Sequence, residues 1–280
     1  MIEKPLENIK KSLSDNIPLE LINFLPEKWE KIGNILTIKL NEKLSSYREE
    51  IGKTYAEVLH CKTVLNDFGG ISGIYREPNV KLLHGSKDTE TVHKENGICY
   101  KLDVRKIMFS SGNMDERIRM ATISNKNETV VDLFAGIGYF TLPMAVYSKP
   151  KKIYSCEINP VSYDYLCKNI VLNHVTSIVE PLLGDNRNIA PKNVAQRVIM
   201  GFFEEIEKFL PTAFDCLKNS TGIIHFHYIC SNDLFPEKPL KIVEKTADKY
   251  KRNVELLTSR VIKSYAPGVS HIVLDIQVGE

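Results

Sequence analysis

The segment Thr129-Val-Val-Asp-Leu-Phe-Ala-Gly-Ile-Gly-Tyr-Phe140 predicts a strand, a glycine turn and the start of a helix. Its β-branched and apolar beginning is typical of a strand buried in a parallel sheet. Gly136 and Gly138 at the turn allow the backbone to approach a ligand without a Cβ in between. Glu157 follows 21 residues after Gly136, at the end of a second apolar run, where a carboxylate suits hydrogen bonds to a ribose diol. The segment therefore predicts a site for a nucleoside cofactor.

Details of the turn select among the nucleoside cofactors. A dinucleotide-binding loop has a third glycine where this chain has Thr141, so hydride chemistry is disfavoured. Asp132, directly before the loop, would repel a pyrophosphate but suits a ligand with a cationic or amine-bearing group. The pattern Asp-x-Phe-x-Gly-x-Gly resembles motif I of the class I methyltransferase folds that bind S-adenosylmethionine (SAM), whose ligand carries a sulfonium and an α-amino group.

Length and composition predict a soluble globular protein of one large domain or two modest ones, and the pattern of strands and helices favours two. The chain has 280 residues, of which 43% are hydrophobic and 26% are charged. β–α alternations follow residue 129 and end in two consecutive strands, so residues 104–280 predict a doubly wound, mostly parallel sheet with an antiparallel edge. Residues 1–103 lack this alternation and contain the hairpin signal Asn96-Gly97. We therefore expect them to form a small α+β domain on an antiparallel sheet, with one strand-like piece at residues 73–76.

Several classes of protein and site are disfavoured. The six cysteines include no Cys-x-x-Cys pair, so we expect reduced thiols rather than disulfides or zinc ligands. His225 and His227 have no third ligand at a useful spacing, which favours packing over a metal site. No apolar run is long enough to span a membrane and the N-terminus does not resemble a secretory signal, so we expect a cytoplasmic protein. The net charge of +2 neither favours nor excludes a nucleic acid partner.

Candidate site residues follow the ends of four predicted strands, where ligands of doubly wound sheets bind. We expect Glu157 to accept hydrogen bonds from the ribose hydroxyls and Asp185 to accept one from the adenine amine. The backbone of Asn186 is expected to meet a ring nitrogen, and the alternative for Asp185 is a loop acid that caps the next helix. The whole set is Asp132, Gly136 and Gly138 from the first strand, Glu157 from the second, Asp185 and Asn186 from the third, and Met200, Gly201 and Phe202 from the fourth.

An ordered series of motifs between residues 70 and 278 resembles a family of enzymes that modify tRNA position 37. The family unites guanosine N1-methyltransferases with the aminocarboxypropyltransferases of the wybutosine pathway. The methyltransferases carry an Asn-Leu-Pro or Asn-Pro-Pro-Tyr turn after the fourth strand, which this chain replaces by Met200-Gly201, and the departure favours the aminocarboxypropyltransferase branch. The motifs are Glu95-Asn-Gly97, Lys101-Leu-Asp103, Phe109-Ser110, Glu116-Arg117, the glycine loop, Glu157-Ile-Asn-Pro160 and Gly184-Asp185.

The resemblance implies transfer of the 3-amino-3-carboxypropyl group of SAM to C7 of 4-demethylwyosine at position 37 of tRNA-Phe, with release of methylthioadenosine. A SAM turned to present its γ-carbon needs a new cation for its carboxylate, and we expect Arg117, with Ser110 nearby, to bind it. A surface arginine paired with an acidic neighbour is the alternative for Arg117. Arg76 is expected to contact RNA, and Phe202 to lie beside the target base.

Two other functions stay open on the sequence alone. One is a SAM-dependent tRNA guanosine-37 N1-methyltransferase whose turn after the fourth strand has degenerated. The other is a non-catalytic RNA-binding protein that retains the SAM fold. The sequence favours a monomer but determines neither the oligomeric state nor any general base for the C7 proton.

Overall fold

A computed structural model describes residues 4–73 and 75–279 of the chain. The chain divides into two compact units, Met1–Ser111 and Gly112–Glu280. The boundary predicted after residue 103 lies within the first unit. No helix among the described residues is both long and apolar enough to cross a membrane.

The first unit is an α+β unit whose four-stranded sheet has the order β1-β2-β3-β4. A separate two-stranded sheet consists of β5 and β6, and it is the hairpin predicted at Asn96-Gly97. The elements are α1 (Pro5–Leu13), α2 (Leu19–Ile22), β1 (Trp29–Ile32), β2 (Ile35–Ile38), α3 (Arg48–Val58), β3 (Thr63–Ser72), β4 (Glu77–Gly85), β5 (Glu90–Glu95) and β6 (Ile98–Asp103).

The expectation of a purely antiparallel sheet in this unit is wrong. β2 pairs with β3 in parallel, while the other two pairings of the four-stranded sheet are antiparallel. The reason is that α3 lies between β2 and β3 in the chain, and a helical crossover returns the chain in the same direction. Of the strand-like piece expected at residues 73–76, Ile74 lies outside the described residues, and Gly73 and Arg76 stand in a turn.

The second unit is built on a seven-stranded sheet with helices along its connections. Five strands are parallel, in the order β11-β10-β7-β8-β9, and β13 and β12 extend the sheet antiparallel beyond β11. The predicted fold class is confirmed. The strands are β7 (Thr129–Asp132), β8 (Lys152–Glu157), β9 (Val179–Leu183), β10 (Arg197–Met200), β11 (Gly222–Ser231), β12 (Asn253–Ala266) and β13 (Val269–Gly279), and the helices are α4 (Met114–Met120), α5 (Thr141–Tyr147), α6 (Pro160–Leu172), α7 (Asn186–Ile189), α8 (Leu210–Cys216) and α9 (Glu237–Lys249).

The strand order reverses next to β7. From β7 the chain continues to β8 and β9 on one side, then crosses to β10 and β11 on the other. Every residue of β10 is buried, as expected for a strand inside a doubly covered parallel sheet. Because ligands of such sheets bind beyond the carboxyl ends of the strands at the point of reversal, the loops after β7 and β10 define the expected site.

Candidate cofactor and substrate site

The glycine loop after β7 is tied to both neighbouring strands. The amide of Leu133 donates to the carbonyl of Ile199 on β10 at 3.0 Å, and the amide of Ala135 donates to the carbonyl of Cys156 on β8 at 2.9 Å. The loop therefore continues the sheet hydrogen bonding past the end of β7. Its position is fixed by the backbone on both sides before any ligand binds.

Asp132 ends β7 with a carboxylate that faces the interior. The residue is 1% exposed. One carboxylate oxygen accepts from the hydroxyl of Thr141 at 2.8 Å, and the other accepts from the amide of Phe134 at 3.2 Å. Burial raises the pKa of Asp132 to about 6, against these two hydrogen bonds that lower it. Asp132 thus holds the loop to the start of α5 and adds a negative charge beneath it.

Glu157 ends β8 and binds the same loop from the other side. One of its carboxylate oxygens accepts from the amide of Gly136 and the other from the amide of Asn159, each at 2.7 Å. Burial raises the pKa of Glu157 to about 6, although both amides lower it. Each carboxylate oxygen has a second lone pair. The carboxylate can therefore hold the loop and still accept from two hydroxyls.

Both loop glycines have positive φ angles, +58° for Gly136 and +102° for Gly138. A Cβ on Gly136 would lie 2.5 Å from the ring of Tyr139, and one on Gly138 would lie 2.6 Å from the side chain of Leu142. Side chains of the protein thus occupy the positions of both Cβ atoms. The positive φ angles and this packing together require glycine at both positions.

Asp185 and Asn186 follow β9, where they have different surroundings. The side chain of Asp185 accepts a hydrogen bond from the backbone amide of Arg187 at 3.0 Å and forms an ion pair with the guanidinium of Arg187 at 2.5 Å. Both contacts lower the pKa of Asp185. Asn186 is buried and its Nδ2 donates to the carbonyl of Leu133 at 2.8 Å. Its Oδ1 is buried with no partner among the described residues. The unsatisfied acceptor thus belongs to Asn186, and Asp185 caps α7, which was the alternative reading.

The turn after β10 is packed against the glycine loop and its helix. Met200 is fully buried in the core of the second unit. A Cβ on Gly201 would lie only 2.7 Å from the ring of Phe140, so glycine is required there for packing. Phe202 stacks on Phe134 with ring centroids 5.1 Å apart. Gly201 and Phe202 therefore lie beside the loop, whereas the Met200 side chain is part of the core.

Arg117 lies on α4 and is 2% exposed, so it is not the surface arginine of the alternative reading. Its neighbour Glu116 is paired with Arg119 instead. Ser110 and Arg76 belong to the first unit, where both are half-buried. Arg76 has a φ of +55°.

A row of buried charged and polar side chains, which the sequence did not reveal as a unit, joins β10, β11 and β13 to α4. Arg197 donates to both oxygens of Glu128 at 2.8 and 2.9 Å and to His225 Nε2 at 2.7 Å. Because a guanidinium can only donate, His225 Nδ1 carries the proton that Asp275 accepts at 2.6 Å. The members of the row are Glu128, Arg197, His225, Asp275, Arg119 and Glu116.

The far end of the row holds α4 in place. Arg119 donates to Asp275 at 2.5 Å and to Glu116 at 2.9 Å. Although burial opposes it, the hydrogen bonds from His225 and Arg119 and the positive charge of Arg119 hold the pKa of Asp275 well below its usual range. The row thereby fixes α4, and with it Arg117, against the sheet. Two features of the sequence could have pointed to this row: the spacing of Glu116 and Arg119 on one helix, and the two histidines at alternate positions of one strand.

Two further histidines lie near the turn after β10. His227 Nδ1 and His271 Nε2 are 3.0 Å apart, and burial lowers the pKa of both imidazoles, to about 3 and about 2. His227 stacks on Phe140 at 5.1 Å, and His271 contacts the edge of Phe203 at 4.5 Å. The pair supports the aromatic side chains on either side of Gly201. No cluster of potential metal ligands occurs in the described ranges.

Comparison with known families decides the relationship. Residues 91–257 match the model of the TRM5/TYW2 methyltransferase domain, which is more than half of the chain. The chain belongs to the TRM5/TYW2 family. The family expected from the motifs is confirmed, and residues 9–89 additionally match the TYW2 N-terminal domain.

Members of both TRM5/TYW2 branches resemble the chain. An enzyme of Methanocaldococcus jannaschii named tRNA(Phe) (4-demethylwyosine(37)-C(7)) aminocarboxypropyltransferase is 46% identical over 89% of this chain and 96% of its own length. The tRNA (guanine(37)-N(1))-methyltransferase Trm5b of Pyrococcus abyssi is 37% identical over 99% of this chain and 84% of its own length. The chain is thus more similar to the aminocarboxypropyltransferase of these two.

Solved TRM5/TYW2 structures share the fold over nearly the whole chain. P. horikoshii TYW2 in complex with MeSAdo has a TM-score of 0.89 and 41% identity, and the match covers 98% of this chain and 99% of that chain. M. jannaschii TYW2 in complex with AdoMet has a TM-score of 0.75 and 42% identity over 90% of this chain and 100% of that chain. These relatives bind SAM or an adenosine derivative of it.

Proposed function

We propose that this chain transfers the 3-amino-3-carboxypropyl group of SAM to C7 of 4-demethylwyosine at position 37 of tRNA-Phe and releases methylthioadenosine. Near full-length relatives with this activity support the proposal, as does the match of the N-terminal residues to the TYW2 domain. The structural observation that carries it is the turn after β10. Gly201 packs on Phe140 there, and the asparagine and proline of the methyltransferase turn are absent.

The reaction transfers the 3-amino-3-carboxypropyl group from the sulfur of SAM to C7 of the modified base. C7 of the modified base attacks the methionyl γ-carbon of SAM, a C–C bond forms, and the γ-carbon–sulfur bond breaks with its electron pair on sulfur. The base then loses the C7 proton, and methylthioadenosine leaves as a neutral thioether. Because the sulfonium supplies the leaving group, the chain contributes mainly by holding the two reactants in line.

The residues of the second unit fit the nucleoside of SAM. Glu157 accepts from the ribose hydroxyls with the lone pairs that its two amides leave free. The unpartnered Oδ1 of Asn186 accepts from the adenine amine in place of Asp185, whose carboxylate is bound to Arg187. Asp132 acts through its buried charge and through the loop that it fixes.

Arg117 is proposed to bind the carboxylate of the methionyl group. Its burial on a helix that the Glu116–Arg119–Asp275 contacts anchor supports this role, because a clamp needs a fixed backbone. The role expected for Ser110 at the same carboxylate and the role expected for Arg76 at the RNA stay predictions. So does the placement of the target base beside Gly201 and Phe202.

The partner is tRNA, and the specific substrate is proposed to be the anticodon loop of tRNA-Phe. The first unit is proposed to contribute RNA contacts. We further propose that the chain acts as a monomer in the cytoplasm. Light scattering would test the monomer directly, since a single chain has a mass of 31.9 kDa.

A double-label experiment tests the proposed reaction. The chain is incubated with tRNA-Phe that carries 4-demethylwyosine and with SAM labelled in either the methyl group or the methionyl carboxyl carbon. We expect only the carboxyl label to enter the RNA. Methyl label that enters tRNA-Phe with guanosine at position 37, offered in a parallel incubation, would instead identify a guanosine-37 N1-methyltransferase. Absence of transfer together with absence of SAM binding in calorimetry would identify a non-catalytic RNA-binding protein.

A further inference from the structure

α9 carries a lysine row along one side of its exposed surface. The row consists of Lys238, Lys241, Lys245 and Lys249, all four of which are exposed. Successive members are three or four residues apart, so they lie one above the other on the same side of the helix. At 1.5 Å per residue the row is about 16 Å long.

The lysine row lacks ion-pair partners among the residues that the structure describes. None of its four members forms an ion pair with a residue that the structure describes. Lys241 and Lys245 are four residues apart, as are Lys245 and Lys249, and like charges at this spacing destabilise a helix. The helix thus keeps a repulsive arrangement that an anionic partner would relieve.

Acidic residues of α9 lie on the adjoining surface of the helix, at Glu237, Glu244 and Asp248. Glu237 stands four residues before Lys241 and Glu244 three residues after it, which is the spacing of a helical ion pair. Neither carboxylate forms an ion pair with a residue that the structure describes. The acids therefore leave the lysines available to an anionic partner.

The row begins on the side of the sheet where the proposed site lies. β11 runs parallel to β10 and β7, so it points toward the same edge as the glycine loop, and it extends to Ser231, five residues past Phe226, the partner of Met200 at the end of β10. α9 begins shortly after that edge, at Glu237, and carries the row away from it. A groove of about 610 Å³ beside the row is lined by Lys238, Lys241 and Lys245 and also by Asp233, Leu234, Glu237 and Ile242.

We infer that the lysine row of α9 binds the phosphate backbone of the tRNA whose anticodon loop occupies the site. Charge complementarity supports this inference: a narrow row of cations without ion pairs to described residues, about three helical turns long, leads away from the edge of the sheet where the target base is proposed to react. Phosphate contacts of this kind position an RNA without reading its sequence. The inference rests on the proposed function only in taking tRNA as the substrate.

The test compares two triple variants that lose the same charge from the second unit. K238Q/K241Q/K245Q removes three members of the row. K152Q/K168Q/K192Q is the control, because these lysines are already paired with Glu180, Asp164 and Asp215 at 2.9, 2.6 and 2.9 Å. Affinity for tRNA-Phe is measured by filter binding between 50 and 200 mM salt, which spans roughly the range over which such contacts weaken. SAM affinity and the labelled product at saturating tRNA are measured alongside.

The row variant is expected to bind tRNA roughly 10- to 100-fold more weakly at the lower salt, with a salt slope smaller by about three. Its SAM affinity and product stay those of the wild type, and its melting temperature stays the same or rises, because like-charge repulsion is removed. Wild-type tRNA affinity and slope in the row variant, or an equal loss in the control, would overturn the inference. Failure of the wild-type chain itself to transfer the carboxyl label would count against the proposed function instead.

Discussion

Glu157→Gln tests the role assigned to the second acid of the site. The carboxylate holds two backbone amides at 2.7 Å, from Gly136 and Asn159, and is proposed to accept from both ribose hydroxyls of SAM. Glutamine has the same shape but no charge, and one of its ends can only donate. Each lost hydrogen bond to a charged acceptor is worth about 1.5–3 kcal/mol. The loss of one ribose bond, and of the charge behind the other, therefore predicts a Kd for SAM roughly 10- to 100-fold higher.

The same substitution leaves one loop amide facing an NH2 group. An unsatisfied buried amide costs about 1–3 kcal/mol, which corresponds to a melting temperature lower by roughly 2–12 °C for a unit of this size. SAM binding is measured by calorimetry below the melting transition, with Glu180→Gln as the control, since Glu180 lies on the neighbouring strand and is half exposed. A Kd within threefold of the wild type, with the melting temperature lowered, would show that Glu157 holds the loop and does not bind the ribose.

Three further predictions follow from buried groups of the second unit. Burial raises the pKa of Asp132 and of Glu157 to about 6, so both carboxylates become protonated between pH 7 and pH 5. Because SAM is cationic, its affinity should fall at least about tenfold over this range, and its binding near pH 6 should release protons. Calorimetry in two buffers measures both effects. Gly201→Ala should slow single-turnover transfer more than it weakens SAM binding, because the new Cβ would lie 2.7 Å from the ring of Phe140 and must displace it. A transfer rate equal to that of the wild type would contradict this. Asp275→Asn should lower the free energy of unfolding by about 3–5 kcal/mol in denaturant titrations, since it leaves buried cationic and imidazole partners without their carboxylate; an unchanged midpoint would refute the role of the row.

The fold of the second unit could be predicted from the sequence because strands and helices alternate there with clear turn residues. The order of its strands follows from general rules for such sheets, and the glycine loop lies at the reversal as expected. In the first unit the same reasoning failed at the pairing of β2 with β3, because a short strand pattern does not encode its direction relative to a neighbour.

The sequence predicted which residues follow the ends of the strands, but not the direction of each side chain. Asp132 and Glu157 were both assigned to the ligand, yet Thr141, nine residues after Asp132, takes one oxygen of its buried carboxylate. Asp185 and Asn186 are adjacent, and only the structure shows which of them has the unsatisfied acceptor. These outcomes depend on rotamers and on partners from distant elements, which periodicity does not specify.

The buried row from Glu128 to Glu116 lay beyond sequence reasoning for a related reason. Its members are up to about 160 positions apart, as between Arg119 and Asp275, and each has an ordinary surface reading when taken alone. The two histidines of β11 drew attention as possible metal ligands. In the structure His225 instead connects a guanidinium to a carboxylate.

The proposed reaction transfers the γ-carbon of SAM and not its methyl carbon. The most direct test is mass spectrometry of the small product after incubation with SAM and tRNA-Phe that carries 4-demethylwyosine. Transfer of the γ-carbon predicts methylthioadenosine in an amount equal to the modified tRNA. S-adenosylhomocysteine formed instead, in a parallel incubation with tRNA-Phe that carries guanosine at position 37, would contradict this transfer and assign the chain to the methyltransferase branch.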